Sequence, residues 1–313
     1  MPNRTSPLTS VRPAASAPRT SRSRLLGGPA PILASTVLWG TTGTVSSLAP
    51  AGAPAAAIGC AGLTLGGLLL FLTSPAARTL PAACTRRERL LLVLGALAVA
   101  GYPVAFYPAV ARTGVAVATV IALGSAPVFA GLLAWITGQA RPTARWSGAT
   151  VATVLGCTLL VMGPGLSGHG TPVDPTGVLL AAAGGLSYAV YALIGGGLIR
   201  RGHSSDAVMG VLFGAAGLLV VPLLLCVDMH WLGTARGAAV AGYLALFTVY
   251  LAYRMFGYGL RRTSASVATS LTLGEPAVAA VMAVAVLGER LPALSWGGLV
   301  VLAAGLVLLT LPV

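Results

Sequence analysis

Ten long apolar segments joined by short polar loops dominate the sequence. They cover residues 31–48, 54–73, 90–109, 115–136, 147–163, 176–199, 207–226, 238–258, 265–287 and 294–311. A helix needs about 20 apolar residues to cross the roughly 30 Å hydrocarbon core of a bilayer, and each segment is close to that length. The segments are continuously apolar rather than alternating, which favours helices over a barrel. The sequence therefore predicts an all-α polytopic membrane protein with ten transmembrane helices.

The composition agrees with a chain that lies mostly in lipid. Hydrophobic residues make up 56% of the sequence and charged residues only 8%, whereas a soluble domain carries about 25% charged residues. A net charge of +13 on a soluble domain would suggest nucleic-acid binding. In this chain we interpret it as setting the membrane topology, so the expected partner is the lipid bilayer and not nucleic acid.

The arginines are divided unequally between the two predicted sides of the membrane. If the amino terminus is inside, the inner segments hold 15 of the 19 arginines, the outer loops hold three, and Arg254 lies inside a span. Because positive residues are retained on the cytoplasmic side, both termini are predicted to be cytoplasmic, in a protein of the cell membrane. Residues 1–28 contain five arginines and no acid, which predicts a disordered basic cytoplasmic tail.

The chain also repeats itself at an offset of 150 residues. Residues 112–119 align with residues 262–269, with five of the eight pairs identical. Further on, Gly138, Pro142, Trp146 and Gly148 recur as Gly288, Pro292, Trp296 and Gly298.

Each repeat would contain five spans, and an odd number forces the second copy to enter the membrane from the opposite face. The sequence thus predicts two inverted five-helix repeats, residues 29–163 and 164–313. Inverted repeats are typical of secondary transporters, which bind their substrate near the middle of the membrane between the halves.

Three motifs resemble the EamA-type permeases of the drug/metabolite transporter superfamily. They are Leu38-Trp39-Gly40, the stretch 259–265 running into Leu273-Gly274-Glu275-Pro276, and the stretch 287–291 followed by Trp296-Gly297-Gly298. The resemblance implies a ten-helix permease that moves amino acids or other small metabolites, often outward. We therefore expect a secondary transporter that works by alternating access, is not an enzyme and needs no cofactor.

Two other functional classes remain open at this point. A membrane-embedded enzyme acting on lipid-linked substrates would need polar catalytic clusters near an interface, and the loops are short and poor in acidic residues. A membrane scaffold that transports nothing would not require an inverted repeat or a charge inside a span.

Glu275 and Arg254 are the only charged residues inside the predicted spans. A charge at this depth is costly and indicates a functional site by default. Glu275 lies near the midplane and precedes Pro276, so it is either a carboxylate that binds protons or substrate beside a hinge, or a structural group that caps backbone freed by the proline. Arg254 either extends to the cytoplasmic interface or faces Glu275.

Aromatic residues at mid-span depth are predicted to line a central cavity, with ordinary core packing as the alternative. The candidates are Trp39, Tyr102, Tyr188, Tyr191 and Tyr250. Two prolines related by the repeat, Pro127 and Pro276, are candidate hinges or static kinks.

Other patterns carry weaker expectations. Gly62 with Gly66, and Gly210 with Gly214, have the spacing that permits close helix contact, either within one chain or in a homodimer. The three histidines, His169, His203 and His230, fall in separate loops, so no metal site is predicted.

Overall fold

The computed structural model describes residues 28–162, 174–287 and 292–310, apart from the side chains of 114–116 and 283. The predicted tail and the boundary between residues 163 and 164 lie outside this part of the chain. Within it the elements are α-helices with short 3-10 and π segments, and no strand occurs. The helices of the first repeat are α1 (Pro29–Gly40), α2 (Thr42–Ser46), α3 (Ala55–Leu72), α4 (Pro75–Ala83), α5 (Arg86–Ile136) and α6 (Ala144–Met162).

The second repeat follows the same order with more interruptions. Its helices are α7 (Pro175–Arg200), α8 (Ser205–Leu225), α9 (Ala235–Tyr243), α10 (Ala252–Leu260), α11 (Ala265–Leu271), α12 (Glu275–Leu287) and α13 (Ala293–Thr310). A π-helix, Leu244–Leu251, joins α9 to α10, and a 3-10 turn, Thr272–Gly274, joins α11 to α12.

Nine helical stretches in the described residues are long and apolar enough to cross a membrane. The first apolar segment is not among them, because it is divided at Thr41 into α1 and α2, each shorter than a span. The chain is thus an all-helical, multi-pass membrane protein, and the count of ten spans stays a prediction.

Helix α5 contributes two of these spans, Arg86–Thr113 and Val117–Ile136. Ala109 from the first arm and Ala118 from the second both pack on Ala181 near the start of α7. Gly95, earlier in the first arm, lies against Ile194 near the end of α7, and the segment that follows the second arm hydrogen-bonds the last residue of α7. The two arms therefore run antiparallel, although the helical assignment continues through the reversal.

The helices pair across the two repeats. The main contacts are α1 with α10, α3 with α8, α6 with α13, and both α7 and α11 with α5. An interface that runs between the repeats along most of their helices is the arrangement expected of inverted-repeat transporters.

The glycine pairs that permit close helix contact are used inside this chain. Gly66 leaves room for Val249, and Gly62 for Leu244, where α3 meets the π-helix. On α8, Gly210 approaches the Leu70 carbonyl and Gly214 approaches Phe71. These contacts account for both pairs without a second copy of the protein.

Helices α6 and α13 also cross closely. A Cβ atom on Gly298 would lie 2.5 Å from the Leu160 backbone nitrogen and 2.8 Å from the Gly156 carbonyl oxygen. Beside this crossing, the Ser295 hydroxyl donates to the Leu160 carbonyl at 3.0 Å. The backbones thus touch at a place where any side chain would separate them.

The bundle has two ends, which we name the entry face and the far face. The entry face holds the start of α1, the α7–α8 turn at residues 201–204, and the turn at residues 261–264; the far face holds residues 47–54 and Asp174, directly before α7. At the far face Arg112 pairs with Asp174 at 3.1 Å. The Thr176 backbone N–H and the Arg112 guanidinium lower the pKa of Asp174. In the predicted topology the entry face is cytoplasmic.

Candidate functional site

A cavity of 540 Å³ lies between the two repeats. Its lining runs from Trp39 and Glu275 to Ser46, Ala53 and Val110, which lie toward the far face. None of the entry-face turns contributes to the lining. The cavity lining therefore extends toward the far face and does not reach the entry-face turns.

Four of the five aromatic residues predicted for the cavity are in its lining: Trp39, Tyr102, Tyr188 and Tyr191. The fifth, Tyr250, is not in the lining. Further rings, which are not among these five candidates, complete the wall: Phe106, Tyr107, Phe213 and Tyr253. Apolar side chains such as Phe213 carry no sign in the sequence of which helix face they occupy, so only the fold could place them.

Aromatic rings close the cavity at its deeper end. The ring of Trp39 lies 4.9 Å from that of Tyr253 and 5.4 Å from that of Phe256, centroid to centroid. Tyr188 and Tyr191 stack at 5.1 Å. Such tilted and stacked arrangements are the favoured geometries for ring pairs, so this end of the cavity is tightly packed.

Hydrogen bonds fix the orientation of the buried polar atoms in these rings. The Trp39 indole nitrogen donates to the Thr248 carbonyl at 2.8 Å, and the Tyr188 hydroxyl donates to the Thr272 hydroxyl at 2.9 Å. The hydroxyls of Tyr191 and Tyr253 lie 3.2 Å apart. The rings are therefore held in place before any substrate binds.

The Trp39 bond also explains an irregularity of the second repeat. Thr248 lies in the π-helix Leu244–Leu251, and its own hydroxyl donates to the Leu244 carbonyl at 2.7 Å. Short π segments are frequent at functional sites. This segment could not be predicted from the sequence, because π-helices have no distinctive residue pattern.

Glu275 supplies the carboxylate of the cavity. It is partly buried and begins α12, directly after the 3-10 turn Thr272–Gly274. Pro276 follows in the first turn, where the missing N–H of proline costs no helical hydrogen bond. The span is thus interrupted beside Glu275, where the sequence placed a candidate hinge, whereas Pro127 lies within a continuous stretch of α5.

Gly40 shows why a glycine follows the tryptophan in the first motif. A Cβ atom there would lie 2.5 Å from the Cβ atom of Val278 and 3.0 Å from the Glu275 carbonyl oxygen. The glycine lets α1 approach the start of α12, so Trp39 and Glu275 line the same cavity.

The sequence left two alternatives for Arg254, pairing with Glu275 or extending to the interface. The structure shows no pairing with Glu275. Its Nη2 atom donates to the Asp206 carboxylate at 2.9 Å, and its Nη1 atom donates to the Tyr250 hydroxyl at 2.9 Å. Tyr250 and Arg254 are one helical turn apart and share a face, which explains why Tyr250 lies outside the cavity. Among the described residues, no ion pair involves Glu275.

Comparison with known proteins decides the family. The sequence profile of the EamA-like transporter family matches residues 28–162 and 175–311. The chain belongs to the EamA-like transporter family. The resemblance predicted from the three motifs is therefore confirmed.

Individual relatives agree with this assignment. The chain is 36% identical to the uncharacterized transporter YwfM of Bacillus subtilis (strain 168) over 279 residues, which cover 89% of this chain and 92% of that protein. It is 26% identical to the uncharacterized inner membrane transporter YedA of Escherichia coli (strain K12) over 191 residues, covering 61% of this chain and 60% of YedA. Both relatives are named as transporters, which supports a membrane transporter here.

The fold is also known from experiment. One solved crystal structure superposes with a TM-score of 0.71 at 18% sequence identity, covering 92% of this chain and 96% of that chain. At this identity the likeness concerns the fold alone.

Proposed function

We propose that the protein is a secondary transporter that moves a small metabolite, such as an amino acid, outward across the cell membrane. The observation that carries this proposal is the cavity between the two repeats, whose lining extends toward one face only. Its volume of 540 Å³ falls in the range of about 300–1,000 Å³ that is usual for small-molecule sites.

The lining favours an amphipathic substrate that carries an amino group. Trp39, Tyr102 and Tyr188 present ring surface, and Glu275 presents the carboxylate. A cationic amine is attracted both to a carboxylate and to the faces of aromatic rings. The remaining apolar wall suits an aliphatic or aromatic side chain on the same solute.

Alternating access follows from the symmetry of the two repeats. We infer that the cavity opens to the far face in this conformation, because its lining extends there and rings from both repeats pack at its deeper end. If the repeats exchange conformations, the same cavity opens to the entry face. A solute loaded at the cytoplasmic entry face is then released at the far face.

Transport is tested with the purified protein in proteoliposomes preloaded with a set of labelled amino acids and amines. We expect loss of at least one amphipathic amine from protein-containing vesicles and no loss from empty ones. Absence of movement for every solute in the set, with folded protein in the membrane, would contradict the proposed substrate class.

A matched pair of glycine variants tests whether this cavity is the transport site. A Cβ atom on Gly59 would overlap the Tyr107 hydroxyl, whereas a Cβ atom on Gly43, in the same lining, would meet no atom within 4 Å. We expect Gly59→Ala to push the Tyr107 ring into the cavity and slow transport strongly, and Gly43→Ala to transport normally. Equal rates for the two variants at equal protein levels would argue against this site.

The proposed orientation is tested separately. Because 15 of the 19 arginines fall in the segments predicted to be inside, we expect both termini in the cytoplasm. Reporters fused to each terminus that are active only in the cytoplasm should both give signal. Reporters that are active only outside the cell should give no signal at either terminus. Signal from them at both termini would reverse the assignment of the two faces.

A further inference from the structure

Three potential metal ligands meet at the entry face, away from the transport cavity. Cys84 follows the last residue of α4, Glu88 lies in the first turn of α5, and His203 lies in the turn between α7 and α8. The His203 Nε2 atom is 4.0 Å from the Cys84 sulfur and 3.4 Å from the Glu88 Oε1 atom. All three ligand atoms lie within 4.8 Å of one another. We call these residues the entry-face triad.

These separations are close to those of ligands around a tetrahedral zinc ion. Zinc bonds of about 2.3 Å to sulfur and about 2.0–2.2 Å to nitrogen and oxygen place neighbouring ligand atoms about 3.4–3.6 Å apart. The nitrogen–oxygen distance in the triad already has this value, and the sulfur, which lies within 4.8 Å of the other two ligand atoms, has to approach them by at most about 1.3 Å. Side-chain adjustment alone can supply such a movement.

Neighbouring groups orient the carboxylate toward the other two ligands. The Glu88 Oε2 atom accepts from the Thr85 backbone N–H at 3.0 Å and from the Thr85 hydroxyl at 2.9 Å. This capping box occupies one carboxylate oxygen and leaves Oε1 facing His203. Outer hydrogen bonds of this kind orient ligands in known metal sites.

Accessibility and charge also bear on the type of ion. Cys84 is buried, while the side chains of Glu88 and His203 are 14% and 20% exposed, so an ion can enter from the aqueous side. Arg201 lies 3.8 Å from Glu88 and opposes a cation, but its side chain is 47% exposed and can turn into water. A thiolate with an imidazole selects zinc-like ions over magnesium or calcium, which prefer oxygen ligands.

We propose that Cys84, Glu88 and His203 form a binding site for a zinc-class transition-metal ion, with water as the fourth ligand. The ion joins the α4–α5 junction of the first repeat to the α7–α8 turn of the second repeat. The proposal is independent of the transported solute and goes beyond the transport function. Sequence spacing could not predict the triad, because His203 lies 119 residues from Cys84 and only the fold brings the two together.

The site is tested by titrating Co²⁺ into the purified, tag-free protein. Cobalt takes zinc sites and gives a thiolate-to-metal absorption band in the near ultraviolet. We expect this band to saturate at a single ion per chain and to disappear when Zn²⁺ is added. Absence of the band in the folded wild-type protein would overturn the proposal, whether or not the protein transports a solute.

Variants assign the band to the triad. We expect Cys84→Ser to abolish the band. His203→Ala should weaken cobalt binding at least about ten-fold, because even changes to residues around the ligands weaken metal sites by about that factor. Glu88→Gln keeps the capping box, which accepts glutamine, so it removes the ligand without unfolding the helix end, and it should also weaken binding.

Cys226→Ser is the matched control, because Cys226 is an exposed free cysteine elsewhere in the chain. It should retain the full band. A band that survives Cys84→Ser, or that is lost in Cys226→Ser, would show that cobalt binds at another thiol and would refute the triad site.

Discussion

Glu275→Gln should abolish the response of transport to a pH gradient while leaving the protein folded. Ionisable residues inside a span that face a cavity are typical of proton relays; Glu275 lines the cavity, and the described residues place no ion-pair partner on it. A carboxyl group in a cavity that opens to each side in turn can take up a proton on one side and release it on the other. Glutamine has nearly the same shape and cannot carry that proton.

The expected size of the effect follows from the energy of the gradient. One pH unit corresponds to about 1.4 kcal/mol, so coupling to one proton supports about a ten-fold solute ratio across the membrane. In proteoliposomes with an imposed gradient we expect the wild type to build up such a ratio. The variant should still exchange labelled solute through the ring contacts, with weaker binding because the carboxylate is gone, but show no accumulation.

Asp174→Asn is the matched control, since it makes the same change at a carboxylate that pairs with Arg112 on the far face. It should keep the gradient response. An unchanged response in Glu275→Gln would rule out proton coupling through this residue. Loss of folded Glu275→Gln protein would favour the structural role instead, that of capping backbone groups near Pro276.

A large loss of stability is expected from Gly298→Ala. The added methyl group would lie 2.5 Å from the Leu160 nitrogen, 2.8 Å from the Gly156 oxygen and 2.9 Å from the Leu159 carbonyl carbon. All three atoms belong to backbone and cannot move as a side chain does, so α6 and α13 must separate. Overpacking of this kind costs about 1–3 kcal/mol, and rigid contacts lie at the upper end. Thermal unfolding in detergent should show a clearly lowered midpoint.

Gly297→Ala provides the control at the adjacent residue of the same helix. A Cβ atom there meets nothing within 4 Å, and alanine favours a helix over glycine by up to about 1 kcal/mol. Its midpoint should be unchanged or slightly raised. If the two variants unfold at the same temperature, the close crossing of α6 and α13 does not contribute to stability.

Hydropathy was sufficient to predict the helical class and most of the spans, because lipid selects apolar segments of a fixed length. It could not show that residues 110–114, expected as a loop, would remain helical within α5. The chain reverses there because both arms of α5 pack against α7. Hydropathy averaged over neighbouring residues carries no information about such packing. The break of the first span at Thr41 was missed for the same reason.

For the candidate site, the sequence predicted how deep each residue lies in the membrane but not which face of its helix the side chain occupies. Trp39 and Tyr188 lie in the cavity lining, where their mid-span positions placed them. Tyr250 has a similar depth but faces Arg254, because a helix rotates by about 100° at each residue and depth alone does not give the face. The partner of Arg254, Asp206, was overlooked because it lies just outside the predicted span.

Among the described residues, the end of the cavity nearest the entry face is closed by aromatic rings and hydroxyl groups and not by ion pairs. This determines how the opening of that end would depend on temperature and ionic strength. Separating Trp39 from Tyr253 and Phe256 would expose aromatic carbon to water, and newly wetted apolar surface raises the heat capacity. Dissolved salt screens ion pairs but not contacts between rings. The rate of opening toward the entry face should therefore change little with ionic strength, and its Eyring plot against temperature should be curved.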